Sequence, residues 1–232
     1  MTDLNETPVA LVTGGSAGLG LALVTALAAD GWTVVTDARH ADVLAARTRH
    51  LPHVVAVAGD LLDPRHRAAL ADRAAARGRL DLLIHNASEL GPMKPLADVG
   101  LEDADDTFAT NVLAPLSLTQ LVLPYLRTAA GTIVGVSSDA AIEHYPTWGV
   151  YGAAKAALDH LVVTVAEETG LRGLAIDPGD LRTAMHQRAF PGEDISDRPL
   201  PESVVPHLLA LLRSERPSGR YRLADVFVEA AR

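Results

Sequence analysis

The fold is decided by residues 9–29, which read VALVTGGSAGLGLALVTALAA. A short aliphatic run leads into a glycine-rich turn, and an alanine- and leucine-rich stretch follows it. Glycines permit a tight turn from strand to helix and let backbone N–H groups approach a pyrophosphate at the helix N-terminus. The stretch therefore predicts the first strand, turn and helix of a dinucleotide-binding domain. Its glycine spacing differs from the G-x-G-x-x-G fingerprint, so a purely structural turn is the alternative.

The same alternation of short aliphatic runs and longer alanine- and leucine-rich stretches continues along the chain, as is typical of a parallel sheet with crossover helices. The predicted strands are Val9–Val12, Thr33–Thr36, Val54–Ala58, Leu80–His85, Thr132–Val136, Gly173–Ile176 and Tyr221–Val226. The predicted helices include Leu19–Ala29, Arg65–Arg77, Asp105–Leu126 and Tyr151–Thr169. We predict an α/β protein in which residues 1–232 form a single doubly wound Rossmann domain, with about seven parallel strands buried on both faces and flanked by helices.

One segment, Ala184–Pro201, interrupts the alternation because it mixes prolines and a glycine with charged residues. Such a composition is typical of irregular structure between regular elements. We interpret residues 184–201 as a substrate lid, a loop that closes over bound ligand. Apolar side chains near it predict a hydrophobic wall for the substrate: Trp148, Met185, Phe190 and Leu200.

Composition excludes several classes of protein. The formal net charge of −9 argues against a broad surface for nucleic acid or anionic lipid. The chain has no cysteine, which excludes disulfides and thiolate-metal sites, and its histidines show no metal-ligand spacing. Met1–Pro8 is polar, unlike a signal peptide, and prolines and a glutamine interrupt the longest apolar stretch, Val112–Leu126. We therefore expect no metal, no nucleic acid, no membrane span and, by default, a cytoplasmic location.

Two residues at the end of the second predicted strand bear on the nucleotide. Asp37 would bind the adenosine ribose hydroxyls of NAD(H), whereas the guanidinium of Arg39 would pair with the 2′-phosphate of NADP(H). A carboxylate repels a phosphate, so the two interpretations compete, and Arg39 is alternatively a solvated residue that opens the next helix. The sequence favours NADP(H) over NAD(H). Asp60, after the third strand, either accepts a hydrogen bond from the adenine amino group or caps the following helix.

A tyrosine and a lysine four residues apart, Tyr151 and Lys155, share one face if the segment is helical. A nearby ammonium favours the phenolate of a tyrosine, whose pKa is otherwise about 10, and brings it closer to useful proton transfer. By itself this spacing is more typical of a surface pair. Ser137 and Ser138 follow the fifth strand, where a hydroxyl can hold a carbonyl oxygen. Two asparagines lie where they could line the same crevice or make local hydrogen bonds: Asn86 and Asn111.

Together these segments resemble the short-chain dehydrogenase/reductase family over nearly the whole chain. The matching segments are TGGSAGLG at 13–20, GDL at 59–61, HNAS at 85–88, TNV around Asn111, VSS at 136–138, YGAAK at 151–155 and DPGDLRT at 177–183.

The resemblance implies a NAD(P)(H)-dependent oxidoreductase that interconverts a small carbonyl compound and a secondary alcohol. It implies that Ser138 orients the substrate oxygen, that Tyr151 is the general acid/base, that Lys155 lowers the pKa of that tyrosine and binds the nicotinamide ribose, and that Asn111 holds a water in a proton relay.

It further implies that Asp60 touches adenine, that Asn86 and Ala87 line the adenosine side, and that Thr183 contacts the carboxamide. NADP-preferring relatives often carry a basic residue at the position of Arg39. The full predicted cofactor set is Gly14, Ser16, Gly18, Leu19, Gly20, Asp37, Arg39, Asp60, Leu61, Asn86, Ala87, Tyr151, Lys155, Pro178, Gly179 and Thr183.

The chain departs from the family pattern at a few places. Ser88 replaces the usual glycine, and residues 225–227 stand where the family has a glycine-rich ending. The family implies a homodimer or homotetramer assembled through helices Asp105–Leu126 and Tyr151–Thr169, and this ending leaves the choice open. The alternatives to a dehydrogenase are a non-catalytic dinucleotide-binding sensor or scaffold, and an epimerase or dehydratase of the same family. The presence of Ser138, Tyr151 and Lys155 together argues against the sensor or scaffold.

Overall fold

The structure, a computed structural model, describes residues 7–228, so most of the polar Met1–Pro8 segment lies outside the described residues. Within that range the strands are β1 (Val9–Val12), β2 (Thr33–Ala38), β3 (Val54–Ala58), β4 (Leu82–His85), β5 (Thr132–Val136), β6 (Arg172–Asp177) and β7 (Gly219–Arg222). They form one parallel sheet in the order β3-β2-β1-β4-β5-β6-β7. The predicted doubly wound Rossmann fold with about seven strands is confirmed.

Helices connect the strands. They are α1 (Gly18–Ala29), α2 (Ala41–Thr48), α3 (Pro64–Ala74), α4 (Leu101–Phe108), α5 (Ala114–Ala129), α6 (Gly149–Thr169), α7 (Ala184–Ala189), α8 (Pro201–Arg213) and α9 (Leu223–Val228). Among residues 7–228, no helix is both long and apolar enough to cross a membrane.

The sheet is buried between two layers of helices because its inner strands are apolar on both faces. In β1, Ala10 and Val12 pack toward α1 and α8, whereas Val9 and Leu11 pack toward α3, α5 and α6. The edge strand β3 differs from the prediction, since its apolar side chains are half-buried or exposed rather than buried. Only one strand, β2, pairs with β3, and the neighbouring helices α2 and α3 leave its side chains partly open to solvent.

The strand order reverses between β1 and β4, which lie side by side although two strands separate them in the sequence. In open α/β sheets the ligand crevice lies outside the carboxyl ends of the strands at this switch point. The loops after Val12 and His85 therefore meet at the position where a nucleotide is expected.

The last predicted strand, Tyr221–Val226, is wrong over most of its length. β7 ends at Arg222, which pairs with the last residue of β6, Asp177, so the chain has no strand partner beyond it. Leu223 and Val226 are instead buried against α8, and their three-residue spacing places both on one face of α9. The predicted Leu80–His85 also shortens to β4, because the N–H of Leu80 bonds to the carbonyl of Tyr125 at the end of α5.

The predicted helix Asp105–Leu126 is longer than expected and is interrupted. It starts at Leu101, and one π-helical turn, Ala109–Leu113, separates α4 from α5. Pro115 follows this turn, and it has no N–H to donate to the carbonyl of Asn111, four residues earlier. A π-helical turn is a frequent feature of functional sites, and here it contains Asn111.

The segment Ala184–Pro201, predicted to be irregular, is partly helical. Thr183 caps α7, since its hydroxyl accepts a hydrogen bond from the N–H of His186 at 3.1 Å. Residues 190–200 contain no helix or strand, and Pro201 is the first residue of α8, where its fixed φ suits a helix start.

Gly173 tests the close packing between β6 and α6. A Cβ atom at this position would lie 2.5 Å from the Val162 carbonyl oxygen and 2.7 Å from the Ala166 Cβ, so the strand and helix would have to separate. We expect Gly173→Ala to lower the free energy of unfolding by about 1–3 kcal/mol, the usual cost of overpacking a core. Urea unfolding measures this cost.

The control is Gly100→Ala, because a Cβ there would lie 3.7 Å from its nearest neighbour, an Asp103 carboxylate oxygen. Equal urea midpoints for the two variants would contradict the close packing of β6 on α6.

Candidate active site

A cavity of about 440 Å³ opens at the carboxyl ends of the strands, within the range usual for small-molecule and cofactor sites. It is bordered by the loops that follow β1, β2, β3, β4, β5 and β6, and by α7. Every residue of the predicted catalytic and cofactor sets lines it except two, Gly20 and Asn111.

The glycine turn after β1 leaves room for a phosphate group. Gly14 has φ +74°, and a Cβ there would lie 3.0 Å from the Cα of Ala87. A Cβ on Gly20 would lie 2.3 Å from the carbonyl oxygen of Gly14. The N-cap of α1, Ala17, makes no side-chain hydrogen bond to the first N–H groups of the helix. These donors are thus free of a side-chain cap and can bind the pyrophosphate of a dinucleotide.

Asp37 is buried behind this turn. Its Oδ1 accepts a hydrogen bond from the N–H of Gly14 at 2.8 Å, and its Oδ2 lies 3.0 Å from the Nε2 of His66. Both carboxylate oxygens therefore have protein partners, and the carboxylate braces the glycine turn. Its predicted contact with the adenosine ribose stays a prediction.

Arg39 lies at the mouth of the cavity with two thirds of its side chain, 67%, exposed, and its guanidinium is 3.9 Å from the carboxylate of Glu89. The nearby Asp37 carboxylate is bonded to Gly14 and His66 inside the protein. The guanidinium of Arg39 is exposed to solvent at the mouth of the cavity.

Asp60 is exposed on the cavity wall beside Leu61. Its alternative role as the helix cap is wrong, because Asp63 is the N-cap of α3 and accepts a hydrogen bond from the N–H of Arg65 at 2.8 Å. Asp60 instead accepts from the N–H of Leu62 at 2.9 Å within its own turn. Its side chain therefore remains at the cavity, as the predicted adenine contact requires.

Asn86 joins the loop after β4 to the glycine turn. Its side-chain amide donates to the carbonyl oxygens of Thr13, at 2.9 Å, and Gly14, at 3.3 Å. The Thr13 hydroxyl accepts in return from the backbone N–H groups of Asn86, at 3.1 Å, and Ala87, at 3.0 Å. Asn86 and Ala87 thus form one rigid wall of the cavity.

Asn111 is buried, and its side-chain amide is bonded to the backbone of one residue, Glu89. Its Oδ1 accepts from the N–H of Glu89 at 2.7 Å, and its Nδ2 donates to the carbonyl of Glu89 at 2.8 Å. The side chain therefore fixes the loop after β4. The predicted water contact would use the backbone carbonyl of Asn111, to which Pro115 cannot donate a hydrogen bond.

The two serines after β5 point in different directions. Ser137 Oγ donates to the carboxylate of Asp159 at 2.8 Å, on the far side of the strand end. Ser138 Oγ donates to Asp139 at 3.0 Å and lies beside the phenol of Tyr151, whose pKa it acts to lower. This geometry supports Ser138 over Ser137 as the group that faces the substrate.

Tyr151 and Lys155 are one turn apart on α6, and both are buried. The Lys155 Nζ donates to the carbonyl of Val136 at 2.6 Å and lies 5.6 Å from the centre of the Tyr151 ring. Burial lowers the pKa of Lys155 to about 8, against the carboxylate of Asp159, which acts to raise it. The predicted pair is therefore brought together inside the protein rather than on its surface.

Burial raises the pKa of Tyr151 to about 12, because the phenolate loses its hydration. The hydroxyls of Ser88 and Ser138 act in the opposite direction, and the negative charge of Asp139 adds to the increase. Without bound ligand, Tyr151 is therefore a neutral phenol at pH 7, which suits a group that donates a proton.

Sequence reasoning missed a half-buried charge network next to the site. Arg220, in β7, contacts the Asp159 carboxylate at 3.1 Å and donates to the carbonyl of Ser138 at 2.8 Å. Asp159 lies four residues after Lys155, and this helical spacing is a signal that could have indicated it. Arg220 is distant in the sequence, so only the sheet order, which places β7 next to β6, brings it here.

Three of the four residues predicted to form a hydrophobic wall for the substrate lie together. The Trp148 ring lies 5.8 Å from Tyr151 and 5.8 Å from Phe190, and Met185 packs against the same cluster. Leu200 is half-exposed and lies outside this cluster.

A glycine cradle, a nucleotide-sized cavity and a buried tyrosine-lysine pair define this molecule as a dinucleotide-dependent oxidoreductase. A family model described as short chain dehydrogenase matches residues 8–194. The chain belongs to the short-chain dehydrogenase/reductase family.

Relatives support this assignment. The uncharacterized oxidoreductase YciK of Escherichia coli K12 is 33% identical over 230 residues, which cover 94% of this chain and 91% of that protein. L-xylulose reductase of Bos taurus is 36% identical over 186 residues, covering 78% and 72%. A short chain dehydrogenase of Shigella flexneri 2a, solved in complex with NADP, is 31% identical with a TM-score of 0.85, covering 96% of this chain and 98% of that chain.

Asp37 tests how the glycine turn is held. Asp37→Ala would leave the Gly14 N–H and the His66 ring without their buried acceptor. We expect the free energy of unfolding to fall by about 1–3 kcal/mol, the cost of an unsatisfied buried polar group. Urea unfolding measures the loss, and Asp72→Ala, an exposed position in α3, is the control. A change no larger than that of the control would show that the carboxylate does not brace the turn.

Proposed function

We propose that this chain reduces a carbonyl compound to a secondary alcohol, and catalyses the reverse reaction, with NADP(H) as the cofactor and Tyr151 as the proton-transfer group. The observation that carries the proposal is the buried Tyr151, which faces the cavity beside Ser138 and one helical turn from Lys155. Burying an ammonium is costly, and the position of Lys155 one helical turn from a buried phenol suits proton transfer in addition to nucleotide binding.

The glycine turn, with its close backbone approaches and uncapped helix start, fits the pyrophosphate of the dinucleotide. Except for Gly20, the remaining predicted contacts line the same cavity. The residues that would hold the cofactor are Gly14, Ser16, Gly18, Leu19, Gly20, Asp37, Arg39, Asp60, Leu61, Asn86, Ala87, Tyr151, Lys155, Pro178, Gly179 and Thr183.

When bound, the nicotinamide supplies or accepts the hydride at the substrate carbon. Ser138 would hold the substrate oxygen through its hydroxyl, and Tyr151 would donate its phenolic proton to that oxygen as the carbonyl becomes an alcohol. Lys155 would stabilise the resulting phenolate by its positive charge. In the reverse direction the phenolate would take the alcohol proton. Asn111 would support the return of a proton to Tyr151 through water held at its backbone carbonyl.

Arg39 supports NADP(H) as the cofactor, because it is an exposed cation beside the cavity and Asp37 has internal partners. The Shigella flexneri 2a relative was solved with NADP bound, in line with this preference.

We expect Arg39→Ala to weaken NADPH binding about tenfold or more and to leave NADH binding nearly unchanged, because only the former has a 2′-phosphate to pair with the guanidinium. Nicotinamide fluorescence titrations with both nucleotides measure the two affinities. Arg47→Ala, an exposed position in α2, is the matched control. An equal loss for both nucleotides would refute the phosphate contact.

We expect Tyr151→Phe to fold and still bind NADPH, and to lose at least about 100-fold in turnover, since proton transfer by a positioned side chain contributes at least that factor. A panel of ketones, aldehydes and secondary alcohols, run with NADPH and NADH in parallel and followed by nicotinamide absorbance, supplies the assay. Tyr125→Phe, at the end of α5, is the control. Full turnover in Tyr151→Phe would exclude this mechanism.

The same proposal includes three predictions from the sequence. Residues 184–201 act as the substrate lid over the hydrophobic wall, and the protein works in the cytoplasm as a homodimer or homotetramer. Two exposed leucines, Leu113 at the end of the π-helical turn and Leu121 in the middle of α5, support assembly through this helical region.

A further inference from the structure

The hydroxyl of Ser88 plays no part in the mechanism described so far. The residue stands where the family has a glycine, so the hydroxyl is an addition to the usual site. Its Oγ is buried and makes no hydrogen bond of ordinary distance and angle with any residue between positions 7 and 228. A buried hydroxyl without a partner is costly, which indicates that it meets one during function.

Ser88 lies on the cavity wall, close to the reacting group. It follows β4, whereas Ser138 follows the neighbouring strand β5, so the two serines approach Tyr151 from adjacent loops. Both hydroxyls act to lower the pKa of the Tyr151 phenol, and the effect of Ser88 is the larger of the two.

The loop that carries Ser88 is fixed on both sides. Asn86 and Ala87, before it, are bonded to Thr13, and Glu89, after it, is bonded through its backbone N–H and carbonyl to Asn111. The serine hydroxyl is therefore held in place before any ligand binds, and little ordering is needed when a charge develops on Tyr151.

We propose that Ser88 donates a hydrogen bond to the phenolate oxygen of Tyr151 and acts beside Ser138 as a second hydroxyl at the reacting centre. This inference rests on the proposed function. In alcohol oxidation the substrate gives its proton to the phenolate and its hydride to the nicotinamide, and the Ser88 hydroxyl stabilises the phenolate without losing its own proton. In carbonyl reduction it stabilises the phenolate that remains after Tyr151 has given up its proton.

The test is the pH dependence of kcat/KM for alcohol oxidation with saturating NADP⁺. The rate rises with pH as Tyr151 ionises. This rise is the acidic limb of the pH profile, and its midpoint reports the pKa of Tyr151. Removing a donor to the phenolate raises that pKa, so we expect Ser88→Ala to shift the midpoint upward by about one unit or more, the size expected of one hydrogen bond to a charged group. Below the limb, a shift of one unit is about a tenfold loss of rate.

Matched variants separate the hydroxyl from its packing. Ser88→Thr keeps the hydroxyl and should keep the limb of the unchanged protein, whereas Ser88→Gly should behave as Ser88→Ala does. Ser117→Ala removes a hydroxyl in α5 that contacts Arg67 and should leave the limb in place. NADPH affinity, measured by fluorescence, checks that each variant is folded.

An unmoved limb in Ser88→Ala, or an equal shift in Ser88→Ala and Ser88→Thr, would overturn the role of Ser88 while an inactive Tyr151→Phe still supports the proposed function. A higher KM with an unmoved limb would likewise overturn it, in favour of a contact with the substrate. Full activity in Tyr151→Phe would overturn both proposals together.

Discussion

The Thr13 hydroxyl accepts hydrogen bonds from two successive backbone N–H groups, those of Asn86 and Ala87, and so ties the carboxyl end of β1 to that of β4. The Asn86 side chain donates hydrogen bonds to the carbonyl oxygens of Thr13 and Gly14, which adds a second link between the two strand ends. The glycine turn, the loop with Ser88 and the contact of Glu89 with Asn111 all depend on this junction. The register between β1 and β4 ends at Val12 and Ile84, and beyond it side-chain hydrogen bonds join the two loops.

Burial dominates the electrostatics of the reacting pair. It favours the neutral form of each group, raising the pKa of Tyr151 and lowering that of Lys155. The Val136 carbonyl and the Asp159 carboxylate act against this for the lysine, and hydroxyls do so for the tyrosine. The protein thus holds both side chains away from solvent. Hydrogen bonds, rather than a carboxylate in direct contact with Lys155, offset part of the free-energy cost of burying their charged forms.

Much of the fold could be predicted because its signals are local. β1, β3 and β5 have the predicted bounds, since each is a short apolar run between turn-forming residues. The run Tyr221–Val226 contains apolar residues at spacings that suit a strand or a helix, and only the end of β6 decides between them. The pairing of Tyr151 with Lys155 followed from helical spacing. The internal role of Asp37 and the approach of Arg220 to Ser138 depend on contacts between distant segments, which no local pattern encodes.

The glycine turn after β1 leaves no space for a side chain at Gly14, Gly15 or Gly20. A methyl group at any of them would meet a neighbouring atom at 3.0 Å or less: the Cα of Ala87, the hydroxyl of Thr36 or the carbonyl of Gly14. The atoms that would collide belong to the same strand ends and loops that hold the sheet together. Substitutions of these glycines would therefore disrupt folding before they altered ligand affinity. A change of nucleotide specificity would have to arise in the side chains around the glycine turn.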